Sequence, residues 1–412
     1  VKRFSEWFWS SSAPMRYVLV CLALAGGYFV LQKLHHRDGV ADFRVYYDAA
    51  NAWLHGESPY GKAFGVSSGF YKYSPVALVP FSLLAWMPYP LASGIYYFFV
   101  LAAFIAFSLV LVRFFEMQFG FPAYRRGLAL ALITLFLIDH FERELHLGNV
   151  NVFLLIAAFG LHEFIRKEKM HWAGLLYAAM LLVKPHFAIL LPFFIWKKQW
   201  KVLLWTVAGG AAGLLLPAVA SGWQGNINLH TAWLDTMQEH NVRLSDSPNT
   251  IYGIVNEWVL SWFGAHADTG LILFGLLVTG AGFLFILLRN RAAGQPMQSY
   301  FFELFLLIAL IPNLAHTDTE HFMWSWPLIA YVILSLIHFP SLRKPLMIAL
   351  VALAFIPYAV NSPDIVGRKV MLLFDEGGLL GLSNLLILAI ATGMFLTRNR
   401  LGKATSAAVT AS

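Results

Sequence analysis

The chain has 412 residues, of which 59% are hydrophobic and 12% charged, and its mean hydropathy is +0.64. A soluble domain carries roughly a quarter charged residues, so the composition excludes a soluble protein and indicates a polytopic membrane protein. The formal charge of +7 does not imply nucleic acid, because most Lys and Arg flank apolar segments as topology signals. The single cysteine, Cys21, excludes an intrachain disulfide.

Lys2 and Arg3 followed by an apolar run containing "ALAGG" at 23–27 have the outline of a secretory signal. The run continues to Leu34, so it reads as a retained first span. Windows approaching the roughly 20 apolar residues that a membrane helix needs lie at 15–34, 91–112, 127–139, 150–165, 172–184, 186–196, 202–221, 270–288, 300–314, 322–339, 346–360 and 379–397. The expected fold is all-α and polytopic, with about 12 transmembrane helices (range 10–13). Segments 76–88 and 250–264 are apolar but broken, and read as interfacial or re-entrant. Residues 1–400 read as one transmembrane domain, with 401–412 as a disordered cytoplasmic tail.

With a cytoplasmic N-terminus, 19 of the 29 basic residues fall on short inner loops and 17 of the 22 acidic residues on the opposite face. The positive-inside rule expects this segregation. It puts both termini in the cytoplasm and the chemically equipped face outside an inner membrane. The long outer segments are 35–90, 140–149, 222–269, 313–321 and 361–378.

In the first of these, "FRVYYDAANAWL" reads as an interfacial helix. Asp42, Tyr46, Ala49/Ala50 and Trp53 share one face. Asp42 either caps that helix at the water boundary or acts as a general base. The segment "YKYSPVALVPFSLLAWMPYPLA", 71–92, is broken by prolines and rich in headgroup-belt aromatics. The segment "DHFERELHLGNVN" crowds Glu142, Glu144, His146, Asn149 and Asn151 into what reads as a short loop. Its Gly148 and two asparagines allow close approach to a ligand, or simply solvate the loop. In "LLVKPHFAILLP", Lys184 either snorkels or faces an anionic headgroup, most naturally a phosphate. His316, Asp318, Glu320 and His321 cluster in "IPNLAHTDTEHFMWSWPL". They lack helical H-x-x-x-H spacing, and serve either a metal or a leaving phosphate.

Taken together, these segments resemble glycosyltransferase family 87, the polyprenol-phosphate-mannose-dependent mannosyltransferases of the GT-C class. The resemblance rests on "ADFRVYYDAANAWLHGESPYG", "YKYSPVALVPFSLLAWMP", "LGNVNVFLL", "LVKP", "NTIYGIVNEW" and "TEHFMWSWPL", spread over residues 41–328. This chain has Leu147-Gly148-Asn149-Val150-Asn151 where the family usually reads G-Q-x-N, and Glu320-His321 where it has two histidines. The resemblance implies a GT-C-like fold with interfacial helices on the outer face. It also implies a polyprenyl-phosphate-linked sugar donor and a lipid or glycan acceptor. Asp42 would be the inverting general base. Lys184, His321 and His316 would bind the donor phosphate, with Arg243 as an outlying candidate. Tyr46, Tyr47, Tyr60, Tyr73, Asn149, Asn151, Glu320 and Asn249 would bind substrate. Phosphate is a good leaving group, so no metal or other cofactor is implied. A secondary transporter or a lipid-linked-sugar flippase is the alternative. A carrier places charged elements near the midplane, whereas here the polar groups gather at one rim and Glu303 is the main exception.

Overall fold

The structure is a computed structural model that describes residues 12–34, 40–64, 69–239, 247–260, 275, 280, 282, 296–315 and 318–410. The chain runs from α1 (Ser12–Leu34) to α2 (Ala41–Leu54), then α3 (Leu78–Ala85) and α4 (Tyr89–Phe119). Next come α5 (Arg126–Phe136), α6 (Ile138–Leu147), α7 (Asn151–Arg166), α8 (Met170–Val183), α9 (Leu190–Trp196), α10 (Trp200–Leu215) and α11 (Ala218–Glu239). The remainder forms α12 (Ile251–Val255), α13 (Pro296–Leu314), α14 (Trp326–His338), α15 (Pro345–Ala359), α16 (Pro363–Val366), α17 (Arg368–Glu376) and α18 (Leu379–Thr410). The described residues contain no strand beyond an isolated bridge between Ala63 and Phe70.

Five stretches are long and apolar enough to cross a bilayer: Ser12–Leu34, Tyr89–Phe119, Met297–Leu314, Thr319–His338 and Leu379–Arg398. Two bent pairs, α6 with α7 at 113° and α10 with α11 at 89°, raise the number to seven. The chain is thus a helical multi-pass membrane protein. Of the other expected spans, 127–139, 172–184, 186–196 and 346–360 fold as helices of 10–17 residues, and 270–288 lies largely outside the described residues. The shortness has local causes. Gly148 sits at positive φ between α6 and α7, and Gly222 at positive φ kinks α11 from within, a conformation that glycine adopts without strain. Pro185 pushes Lys184 into extended geometry, φ −134°, and stops α8.

One expectation is corrected. The presumed loop 139–151 is mostly helix α6, whose many charges disguise a strongly two-faced helical pattern. Helix α18 continues as far as Thr410.

The chain, read from sequence as one domain, divides into two compact units. The first comprises residues 18–107 and 142–241, the second residues 1–17, 108–141 and 242–412. In the first, α8 packs between α7 and α10. Gly174 allows this closeness, since a Cβ there would lie 2.5 Å from the Val202 carbonyl oxygen. In the second, α13, α14, α15 and α18 pack together around Asn384. Its amide donates to Ala309 O and Asn313 Oδ1, both at 2.7 Å, and its Oδ1 accepts from Ser325 and Tyr358. A buried network satisfied in this way fixes one packing of the helices. Large apolar side chains such as Leu24, Trp86 and Val219 are exposed, as expected for surfaces solvated by lipid rather than water.

Candidate active site

Four of the six sequence motifs meet in the first unit, at helix ends. Asp42 stands in the first turn of α2, half-buried, where the helix dipole favours a carboxylate. The chain enters α2 through Val40, which adopts φ 69° and whose N–H donates to His146 O at the end of α6. Gly148 then turns the chain at φ +66°. A Cβ there would meet Phe43 Cβ at 2.9 Å and Val40 Cβ at 3.0 Å. Only glycine therefore lets the α6–α7 break approach the start of α2.

That approach delivers Asn149 to Asp42. The Asn149 side-chain amide donates to Asp42 Oδ2 at 2.6 Å. Its orientation is set by the opposite end, where Oδ1 accepts the Val150 N–H at 2.7 Å. The Asn149 carbonyl in turn accepts from Tyr96, at 3.2 Å. The carboxylate is therefore aimed by a side chain that is itself held at both ends.

Two residues on, Asn151 serves different partners. It donates to Glu144 Oε2 at 3.0 Å and accepts from Lys184 Nζ at 2.7 Å. Glu144 is fully buried and also accepts the Val152 N–H at 2.9 Å. Lys184 is 6% exposed, so it does not snorkel to water. The result is a buried Glu–Asn–Lys chain whose basic end lies 5.9 Å from the centre of the Tyr73 ring. Tyr73 and Tyr46 share a hydrogen bond of 2.9 Å between their hydroxyls, and Tyr60 donates to Tyr73 O at 2.7 Å. Burial pushes the Tyr46 and Tyr73 phenols well above their ordinary pKa, and the Asp42 charge adds to the effect. Both remain protonated donors.

Not every expected residue joins this group. Tyr47 is buried and donates to Met87 O at 2.7 Å. It sits about 100° round the helix from Tyr46, so the two cannot share a face. Glu320, His321 and Asn249 belong to the second unit. Asp318, Glu320 and His321 bring one ligand atom each within 4.8 Å of one another. This carboxylate–imidazole set is the group among the described residues with the chemistry to hold a metal ion. Asn249 Oδ1 accepts the Gly381 N–H at 3.0 Å, tying α12 to α18. His316 and Arg243 lie outside the described residues. Sequence reasoning placed Glu144 in a loop and missed Tyr96. The second carries a signal in hindsight, a phenol inside an apolar helix whose hydroxyl needs a partner.

A model of glycosyltransferase family 87 matches residues 70–315. The chain belongs to this family. A curated relative is the polyprenol-phosphate-mannose-dependent alpha-(1-2)-phosphatidylinositol mannoside mannosyltransferase of Mycobacterium tuberculosis. It is 25% identical over 360 residues, covering 82% of this chain and 81% of the relative. No solved structure matches the chain. Membership of family 87 makes the protein a membrane glycosyltransferase. The matched stretch contains Tyr73, Asn149, Asn151 and Lys184 but begins after Asp42, which is joined to it through Asn149.

Proposed function

We propose that this family 87 enzyme moves a sugar from a polyprenyl-phosphate donor to a hydroxyl of an envelope lipid or glycan. The sugar is mannose, as in the name of the mycobacterial relative. Reaction is at the outer face of the inner membrane, with inversion, on a GT-C-like scaffold. The observation that carries the reading is the oriented Asn149 amide on Asp42 Oδ2, 2.6 Å away. A general base must be within reach of its proton and aimed at it, and the Asn149 amide, itself held by the Val150 N–H, supplies that aim.

In this reading Asp42 takes the acceptor hydroxyl proton as the oxygen attacks the anomeric carbon from the face opposite the phosphate. The carbon–oxygen bond to the acceptor forms while the bond to phosphate breaks. Polyprenyl phosphate leaves with one more negative charge than the donor phosphate carried. Lys184 supplies positive charge on this side, and a preorganised cation is worth most where water is excluded. The protonated phenols of Tyr46 and Tyr73 offer hydrogen bonds to sugar hydroxyls. Phosphate needs no acid to leave, so neither a metal nor the second carboxylate of a glycosidase is required. Asn249, Glu320, His321 and His316 carry no step in this scheme. The outer-face assignment draws on the charge segregation along the chain.

The test supplies radiolabelled polyprenyl-phosphate-mannose and envelope lipid extract to the nanodisc-held enzyme, and compares wild type with Asp42→Asn. Loss of transfer in the variant, with an inverted linkage in the wild-type product, is the expected outcome. Equal transfer by both would remove Asp42 from the chemistry.

A further inference from the structure

Within the second unit, α5, α14 and α15 enclose a groove of about 520 Å³. Its walls are apolar, built from residues such as Leu132, Leu135, Phe136, Ile333, Val351 and Phe355. Two charged residues line it, Arg125 and Arg343, and both stand at the C-terminal end of α14. Arg343 is fixed there by donating from Nε to Leu336 O at 2.6 Å and from Nη2 to Ile337 O at 2.5 Å. Two of its five N–H groups are thus engaged and three are left for a ligand. Arg125 lies over Tyr124, 5.7 Å from its centre, and that ring packs edge-on against His338 at 4.7 Å.

Among the described residues, no acidic one lines the groove. The nearby Glu116 is held by Arg126 at 2.6 Å and Arg113 at 3.3 Å. Two exposed guanidinium groups at the mouth of an apolar groove therefore present positive charge without an opposing carboxylate. From Arg125 to Phe136 the helix rises about 16 Å, close to the hydrocarbon depth of one bilayer leaflet. Leu135 and Ile348 are each 50% exposed along this path.

We propose that the groove binds one anionic phospholipid of the bilayer. Arg125 and Arg343 hold its phosphate, a geometry to which the planar guanidinium is suited, and one acyl chain runs along α5 and α15. This site serves structure or regulation, and none of its residues belongs to the Asp42 constellation.

The test titrates detergent-purified enzyme with phosphatidylglycerol or phosphatidylcholine of identical chains, reading retained lipid by native mass spectrometry and the thermal midpoint. Wild type should retain phosphatidylglycerol preferentially and gain thermal stability from it. Arg125→Gln should weaken that lipid about fivefold, the worth of one basic residue at a lipid surface, without changing phosphatidylcholine binding. Ala352→Trp, which fills the groove, should reduce retention of both lipids. Sugar transfer at wild-type rate in each variant certifies its fold. Equal retention of the two lipids by wild type would overturn the proposal. So would undiminished phosphatidylglycerol preference in both folded variants.

Discussion

The buried chain from Glu144 through Asn151 to Lys184 allows two roles for Lys184 to be separated. Lys184 is 6% exposed and Glu144 is 0% exposed, with Asn151 bridging them at 2.7 and 3.0 Å. Lys184→Met keeps the length of the side chain and removes its charge. It leaves the buried Glu144 with neutral donors only, and depriving a buried charged network of one member costs about 3 kcal/mol. Glu144→Gln in the same background removes the stranded charge and should recover most of that loss, so the double-mutant cycle should give a coupling of about 2–3 kcal/mol. If Lys184 also meets the donor phosphate, stability and activity will part company. The double variant should be nearly as stable as wild type yet transfer sugar about 100-fold more slowly, the scale of one lost charge-stabilising donor. Thermal unfolding in nanodiscs and initial rates at saturating donor are the assays. Wild-type turnover in the stable double variant would make Lys184 structural. A Lys184→Met enzyme within about 1 kcal/mol of wild type, the worth of a single neutral hydrogen bond, would refute the coupling of the two charges through Asn151.

Other outcomes follow from the same geometry. Gly148→Ala should destabilise the first unit by about 2 kcal/mol or more, because it adds strain at φ +66° to a 2.9 Å contact with Phe43. Its transfer rate should fall as well, since Asn149 can no longer reach Asp42; an unchanged thermal midpoint would contradict this. Burial raises the pKa of Tyr46, Tyr60, Tyr71 and Tyr73 above the ordinary phenol value. The unfolded chain therefore loses protons first, and stability should fall only above about pH 10, by up to about 1.4 kcal/mol per pH unit for each phenol. Comparing thermal midpoints from pH 8 to 11, Tyr71→Phe should remove its own share of the decline, up to about 1.4 kcal/mol per pH unit; a decline that sets in below pH 9 would point to other groups. Transfer should survive EDTA, and loss of activity restored by a divalent ion would instead assign a metal to Asp318, Glu320 and His321.

Much of the site was legible as fragments. Composition set the membrane class, and a carboxylate at a helix start, an asparagine pair and a lysine before proline each stood out. Their assembly was not legible, because it depends on a reversal that sequence periodicity does not encode. Asn149 and Asn151 look equivalent in "LGNVN", yet one aims Asp42 while the other bridges Glu144 to Lys184. The difference arises because Gly148 ends one helix and Asn151 begins the next at 113° to it. Among the described residues five to seven stretches are long enough to cross, against about 12 read from hydropathy, and the difference lies in helices of 10–17 residues whose ends hydropathy does not mark. Tyr47 donates to Met87 O instead of joining Tyr46 and Tyr73, because adjacent helical residues point in different directions.

The position of the charges at these breaks has an electrostatic logic. Asp42 occupies the first turn of α2 and Lys184 the C-terminal cap of α8. These are the ends at which the peptide dipoles stabilise a negative and a positive charge respectively. Each would be expensive inside a continuous apolar helix, where no donor or acceptor is spare. A chain built from unbroken spans would have to place both at the water surface. By ending helices at Gly148 and Pro185, this one exposes backbone and amide groups within the protein, and they partner the charges there. Asn149 and Asn151 are the connection: each sits where a helix stops or starts, Asn149 donating to Asp42 and Asn151 donating to Glu144 while accepting from Lys184. The short helices that obscure the span count are therefore the means by which an apolar chain keeps a carboxylate and an ammonium close to lipid.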